Sequence, residues 1–114
     1  MILHDIAHGR SGDKGNKANV AIIARNRDDY PFIRNYLTED HVKRVFEPVL
    51  ANPSISRIDR YELPRLGALN FVLHDALDGG ASEALRVDTQ GKTYAAWLLR
   101  EEITQAYAAF EDQP

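Results

Sequence analysis

A glycine-rich polar segment between two apolar segments constrains the fold of this chain more than any other sequence feature. The apolar segment Ile2 to His8 precedes nine polar or small residues, 9–17, which include three of the seven glycines. The apolar run Ala18 to Ala24 follows directly. A short apolar segment stopped by glycine suits a strand, and a continuous apolar run is typical of a strand buried on both faces. The sequence therefore predicts an antiparallel hairpin with a long polar loop.

Two helices are predicted after the hairpin. Pro31 is favoured in the first turn of a helix, and Thr38 is a good N-cap for the next one. The apolar residues after Thr38 recur at helical spacing: Val42, Val45, Phe46 and Val49. Because Pro48 lacks a backbone N–H, we expect this helix to end or kink near Glu47.

The middle of the chain predicts a strand and then an ambiguous segment. Ile55 to Leu63 reads as a strand that Pro64 ends. Residues 66–78 fit one helical stripe with Gly79 and Gly80 as a stop, and we predict a helix there. The run Leu69 to Leu73 equally fits a strand, so the pattern leaves both structures open.

The last third predicts a short half-buried strand, Ala84 to Asp88, and one long helix, Lys92 to Phe110. Trp97 lies off the apolar stripe of that helix. It either covers neighbouring side chains or anchors a partner. The order of elements predicts a single α+β domain over residues 1–114. Its expected layout is a ferredoxin-like sandwich, in which helices cover one face of a small, mostly antiparallel sheet.

The amino-acid composition excludes several classes of protein and of site. The 114 residues are 44% hydrophobic and 27% charged, which is enough for a buried core. There is no cysteine, which excludes disulfides and thiolate zinc sites. The formal charge of −3 argues against nucleic-acid binding, and no apolar run reaches the roughly 20 residues of a membrane span. The amino terminus lacks the pattern of a secretion signal, so we expect a cytoplasmic protein.

The glycine-rich segment is also the strongest candidate for chemistry. Glycines let a backbone turn so that successive amides form an anion-binding nest, and nearby basic side chains add charge. The glycine spacing fits neither a dinucleotide fingerprint nor a P-loop. The alternative is an ordinary hairpin connection whose glycines only make turns. The predicted ligand-binding residues are Arg10, Ser11, Gly12, Asp13, Lys14, Gly15, Asn19 and Asn70.

Candidates for proton transfer are weaker. They are His8, Asp13 and the neighbouring pair His74 and Asp75. The sequence shows neither a shifted pKa nor the geometry that a catalytic role requires. On an extended strand His4 and His8 stand about 13 Å apart, too far to share one metal ion. We therefore expect neither a metal site nor a cofactor, and the sequence leaves open whether the protein is an enzyme.

Four stretches together resemble one family. They are Ala7 to Arg25 with its Arg-Ser-Gly-Asp-Lys-Gly core, Arg60 to Pro64, Gly67 to Leu73, and Asp88 to Leu99. In this order they are similar to the small carboxyl-terminal domain of acyclic terpene utilisation AtuA-type proteins. The resemblance covers nearly the whole chain and implies a ferredoxin-like α+β domain. Larger relatives carry a long amino-terminal domain that this sequence lacks, and they are linked to bacterial breakdown of terpenoid and branched acids as coenzyme A thioesters.

The resemblance implies an accessory module. Such a module is expected to assemble with a larger AtuA-type subunit and help bind an acyl-coenzyme A or carboxylate ligand through its glycine-rich loop. Two alternatives remain open. One is a small autonomous hydratase or lyase acting on acyl thioesters, and the other is a purely structural homo-oligomer.

Overall fold

The structure is a computed structural model that describes residues 1–14, 17–49, 57–74 and 93–112. Four strands and four α-helices lie in these ranges. In chain order they are β1 (Ala7–Lys14), β2 (Lys17–Ala24), α1 (Tyr30–Tyr36), α2 (Glu39–Phe46), β3 (Ile58–Leu63), β4 (Ala68–Leu73), α3 (Thr93–Leu99) and α4 (Thr104–Glu111). None of the described helices is long and apolar enough to span a membrane.

The four strands form one antiparallel sheet in the order β1-β2-β4-β3. Helices pack on one face, and the core lies between that face and the helices. Its largest fully buried side chains come from both layers: Ile22, Leu69, Phe71 and Leu73 from the sheet, and Ile33, Phe46 and Leu98 from the helices. The predicted α+β, ferredoxin-like layout is confirmed.

Strand β2 is buried on one face rather than on both. Val20 and Ile22 are fully buried, whereas Asn19 is exposed and Ala21 and Ile23 are half-buried. The prediction of burial on both faces is therefore wrong. The apolar residues on the second face are Ala21, which is small, and Ile23. A continuous apolar run in the sequence does not distinguish half-buried residues of this kind from fully buried ones.

The predicted nine-residue loop is also wrong. Strand β1 continues through the glycine-rich segment to Lys14, which pairs with Lys17, so only residues 15–16 separate the two strands. The first strand also begins later than predicted, because Leu3–Asp5 form a 3₁₀ turn and β1 starts at Ala7. Pairing with eight residues of β2 satisfies the backbone polar groups of this glycine-rich strand and outweighs its weak β-propensity.

The two middle helices begin and end as predicted. Pro31 lies in the first turn of α1, and the Thr38 hydroxyl accepts a hydrogen bond from the His41 amide at 3.1 Å as the N-cap of α2. After α2 the chain tightens into a 3₁₀ turn, Glu47–Val49, which contains Pro48. These local rules succeed because they depend on neighbouring residues alone.

Residues 68–73 form strand β4, so the predicted helix is wrong and the alternative is right. β4 lies between β2 and β3 and pairs with both. Leu69, Phe71 and Leu73 occupy alternate positions of β4 and are buried in the core. The pairing of β4 on both sides favours the strand over the helix that the same apolar residues also fit. β3 ends before Pro64 as predicted. The predicted start of that strand at residues 55–56, and the strand at 84–88, lie outside the described residues.

The predicted carboxyl-terminal helix is two helices. Between α3 and α4 the helix is interrupted, and there the Glu101 carbonyl accepts a backbone hydrogen bond from the Leu3 amide and the Ile103 amide donates one to the Met1 carbonyl. These contacts to the amino-terminal segment replace part of the helical hydrogen bonding. Trp97 is partly buried and stacks on Phe46 with ring centroids 5.8 Å apart. Its ring therefore packs against the core, although its position off the stripe predicts a place on the polar side of the helix.

Gly9 allows β1 to approach α3 closely. A Cβ atom at this position would lie 3.0 Å from the Ala21 carbonyl oxygen and 3.0 Å from the Ala95 Cβ. We predict that Gly9→Ala lowers the free energy of unfolding by about 1–3 kcal/mol, because the added methyl group overpacks this contact. Urea denaturation measures the change.

Gly12 supplies the matched control on the same strand. Among the described residues, the one atom that a Cβ placed there would meet is Oδ1 of the flexible Asn19 side chain, at 3.2 Å. We expect Gly12→Ala to change the free energy of unfolding by less than about 0.5 kcal/mol. Equal losses in the two variants would contradict close packing at Gly9 as the cause.

Candidate functional site

The face of the sheet opposite the helices is the candidate site, and we call it the open face. It is formed by the residues that alternate with the core residues of each strand. By register these are His8, Arg10 and Gly12 of β1, Lys17, Asn19, Ala21 and Ile23 of β2, Ala68, Asn70 and Val72 of β4, and Asp59, Tyr61 and Leu63 of β3.

Two adjacent rows run across the open face. Arg10 pairs with Ala21, Ala21 with Asn70, and Asn70 with Tyr61. In the next row Gly12 lies beside Asn19. The Asn19 amide Nδ2 donates to Asn70 Oδ1 at 3.2 Å and joins the rows. The fold thus brings Arg10, Gly12, Asn19 and Asn70 of the predicted ligand-binding set to one surface, although 51 residues separate the two asparagines.

Four further residues complete the predicted ligand-binding set. Ser11 faces the helices, where its hydroxyl accepts a hydrogen bond from the Ala95 amide at 3.0 Å near the start of α3. Asp13 and Lys14 pair in the backbone ladder with Ala18 and Lys17. Gly15 lies outside the described residues.

Anion binding by a nest of loop amides does not fit residues 9–14. In an extended strand, successive amides point to opposite sides, so they cannot converge on one anion as they do in a nest. The loop conformation that an amide nest requires is therefore wrong for residues 9–14, which form part of strand β1. Ligand binding by the side chains of Arg10, Asn19 and Asn70 stays a prediction.

The proton-transfer candidates His8 and Asp13 both lie on β1, and their catalytic role stays a prediction. His8 is exposed on the open face, and its imidazole forms no hydrogen bond with any described residue. Asp13 lies five positions after His8 on β1 and pairs in the backbone ladder with Ala18. A general base needs an oriented proton acceptor, and nothing in the described contacts orients His8.

One polar cluster at the edge of the open face was not predicted. His74 Nε2 lies 2.9 Å from Asp59 Oδ2, and Arg57 Nε lies 3.1 Å from Asp59 Oδ1. The hydrogen bond from His74, together with the Arg57 charge, lowers the pKa of Asp59. In the sequence, His74 is a proton-transfer candidate together with its neighbour Asp75, which lies outside the described residues. The pairing of β3 with β4 instead places His74 beside Asp59.

A second cluster lies on the helical side and holds the α3–α4 break in place. The Glu101 carboxylate accepts hydrogen bonds from the Tyr36 hydroxyl at 2.8 Å and from His41 Nε2 at 2.8 Å. Burial, and then the bond to Glu101, raise the pKa of Tyr36 well above its usual value. All partners of the carboxylate are residues of α1 and α2, so this cluster joins three parts of the helical layer. Its role is structural.

The model of the AtuA ferredoxin-like domain family matches residues 1–104. The chain belongs to the AtuA ferredoxin-like domain family. The match spans all four strands and therefore the whole open face. Neither the comparison with curated proteins nor that with solved structures gave a match. In the part of the chain that the structure describes, no group of three or more histidine, aspartate or glutamate side chains is placed to hold a metal ion.

The Asp59 cluster generates a prediction about pH. We expect Asp59 to titrate below its usual value near 3.8, and we expect His74→Phe to raise its pKa because the main hydrogen bond is lost. Since the folded-state pKa is lowered, the stabilising contribution of this carboxylate is present above pH 3.8 and disappears as the pH falls through its folded-state pKa.

Carboxyl-detected NMR titration measures both pKa values. His4→Phe is the control, because His4 contacts Arg25 and not Asp59. An unchanged Asp59 pKa in His74→Phe would show that the hydrogen bond is not the cause of the shift.

Proposed function

We propose that this chain is an accessory module that assembles with a larger AtuA-type subunit through the open face of its sheet. In this proposal the complex acts in the catabolism of terpenoid or branched acyl-coenzyme A compounds, and the module contributes side chains rather than a complete active site. Family membership and the character of the open face support the proposal.

The exposed apolar side chains on β3 carry the argument. Tyr61 is 50% exposed and Leu63 is 39% exposed, and both lie on the open face. Leu66, in the turn that follows β3, is 67% exposed. An exposed apolar patch rimmed by polar residues is typical of a protein-binding surface, and tyrosine is enriched in the centres of such surfaces.

The remainder of the open face suits a protein partner as well. Gly12 and Ala21 are small, so a partner side chain can approach the backbone between Arg10 and Asn70. The Asn19–Asn70 pair leaves further donors and acceptors of both amides available for a partner. Arg10 is exposed and has no ion-pair partner among the described residues, so it is available to an acidic group of the partner or to the carboxylate or phosphate of a shared ligand.

Co-purification tests the proposal. The chain is co-expressed with a larger AtuA-type protein of the same source, and the amount of complex is measured after affinity capture and size-exclusion chromatography. We predict that Leu63→Lys reduces the recovered complex by at least about tenfold, because it places a charge in the apolar contact. Arg10→Gln and Asn70→Ala then test whether the same surface contributes to substrate turnover.

Ile2→Lys is the matched control. Ile2 is 37% exposed, close to Leu63 in exposure, and it lies on the amino-terminal segment rather than on the open face. Equal recovery with Leu63→Lys and wild type would contradict docking through the open face.

The two alternative functions give different outcomes in the same experiments. If the isolated chain forms an oligomer that Leu63→Lys converts to monomers, and no larger subunit is captured, the open face serves self-association. Hydration or lyase activity of the purified chain alone would establish an autonomous enzyme and overturn the accessory role.

A further inference from the structure

A concave site lies away from the open face, and the proposed function does not use it. It is an apolar cleft of about 350 Å³ between strand β1, helix α3 and the amino-terminal segment, and we call it the α3 cleft. Its lining residues are Ile2, His4, Gly9, Ala95, Ala96, Leu99 and Arg100.

The α3 cleft is narrow and apolar at its base. Gly9 and Ala95 are so close that a Cβ atom on Gly9 would lie 3.0 Å from the Ala95 Cβ. Ala96 and Leu99 are half-buried and continue this surface along α3. Apolar walls of this kind favour an aliphatic group by removing its surface from water.

The rim of the α3 cleft is positively charged. Arg100 is exposed and forms no ion pair within the described residues. His4 also lines the cleft, and it contacts Arg25: Arg25 Nη2 lies 3.0 Å from His4 Nε2, and Arg25 Nε donates to the His4 carbonyl oxygen at 3.0 Å. Because the guanidinium donates to Nε2, the ring proton of His4 is on Nδ1 and is a further donor.

Nearby acidic groups are already engaged elsewhere. Glu101 accepts from Tyr36 and His41 on the other side of the helical layer. Glu102 contacts the Thr104 amide and the terminal amine, and Asp5 accepts from the Ile2 amide at 2.8 Å. Arg100 therefore has no ion-pair partner among the described residues, although the whole chain carries a formal charge of −3.

We infer that the α3 cleft binds a small aliphatic carboxylate. The hydrocarbon part lies against Gly9, Ala95, Ala96 and Leu99, and the carboxylate lies at the rim, where Arg100 pairs with it. The volume is within the range of small-molecule sites, and a guanidinium matches the planar geometry of a carboxylate. This site is independent of docking at the open face, so either can fail without the other.

An NMR titration with three probes tests the inference. Octanoate carries both head and tail, 1-octanol carries the tail with a neutral head, and acetate carries the head alone. We expect octanoate to shift the amide resonances of Gly9, Ala95 and Ala96 in a saturable way. We expect 1-octanol and acetate to bind at least about tenfold more weakly, since each lacks one of the two interactions.

Variants separate the two parts of the site. Ala96→Leu fills the cleft and is expected to abolish saturable binding of octanoate. Arg100→Gln is expected to weaken it about fivefold, the value for a partly exposed ion pair. Arg44→Gln is the matched control, because Arg44 is an exposed arginine on α2 away from the cleft. Circular dichroism and thermal unfolding confirm that each variant folds.

Three results would overturn the inference. The first is equal binding of octanoate and 1-octanol, which would remove the carboxylate from recognition. The second is octanoate shifts that centre on Arg10 and Asn70 of the open face. The third is unchanged octanoate binding in a folded Ala96→Leu variant.

Discussion

One-sided burial of the four-stranded sheet is the constraint on which the rest of the structure depends. Val20, Ile22, Leu69 and Phe71 are fully buried beneath the helices. Each such side chain contributes about 1.5–3 kcal/mol relative to exposure. A shift of register by one residue would turn all of these side chains to the other face, so their burial determines the pairing. The same pairing places Arg10, Asn19, Asn70 and Tyr61 together on the open face, and the candidate docking surface is thus a consequence of the core.

The interruption between α3 and α4 shapes the opposite side of the molecule. The amino-terminal segment pairs with residues 101–103, and the Glu101 carboxylate connects this interruption to α1 and α2. This arrangement brings Ile2 and His4 to the end of α3 and leaves Arg100 at the rim of the α3 cleft. The two candidate sites therefore have separate origins, one in the pairing of strands and the other in the docking of the chain's first residues.

Local features were the most predictable from the sequence. Thr38, Pro31 and Pro48 mark helix ends through interactions with their immediate neighbours, and the structure confirms them. The length of β1 and the identity of β4 depend on partners distant in sequence. Of the predicted ligand-binding residues, Arg10, Asn19 and Asn70 lie on one surface, and Arg10 lies there on a strand rather than in the predicted loop. Ligand binding by these residues stays a prediction. The Asp59–His74 contact was missed because the predicted helix concealed the β3–β4 pairing.

The sequence by itself determined the class of fold, the ends of the middle helices and the family, because periodicity, capping residues and local motifs record these directly. The tertiary structure alone decided that the glycine-rich segment is a strand, that residues 68–73 join the centre of the sheet, and that the last helix divides at Glu101. The physical reason is that each of these segments has two local conformations close in energy. Hydrogen bonding and burial against residues far along the chain select between them.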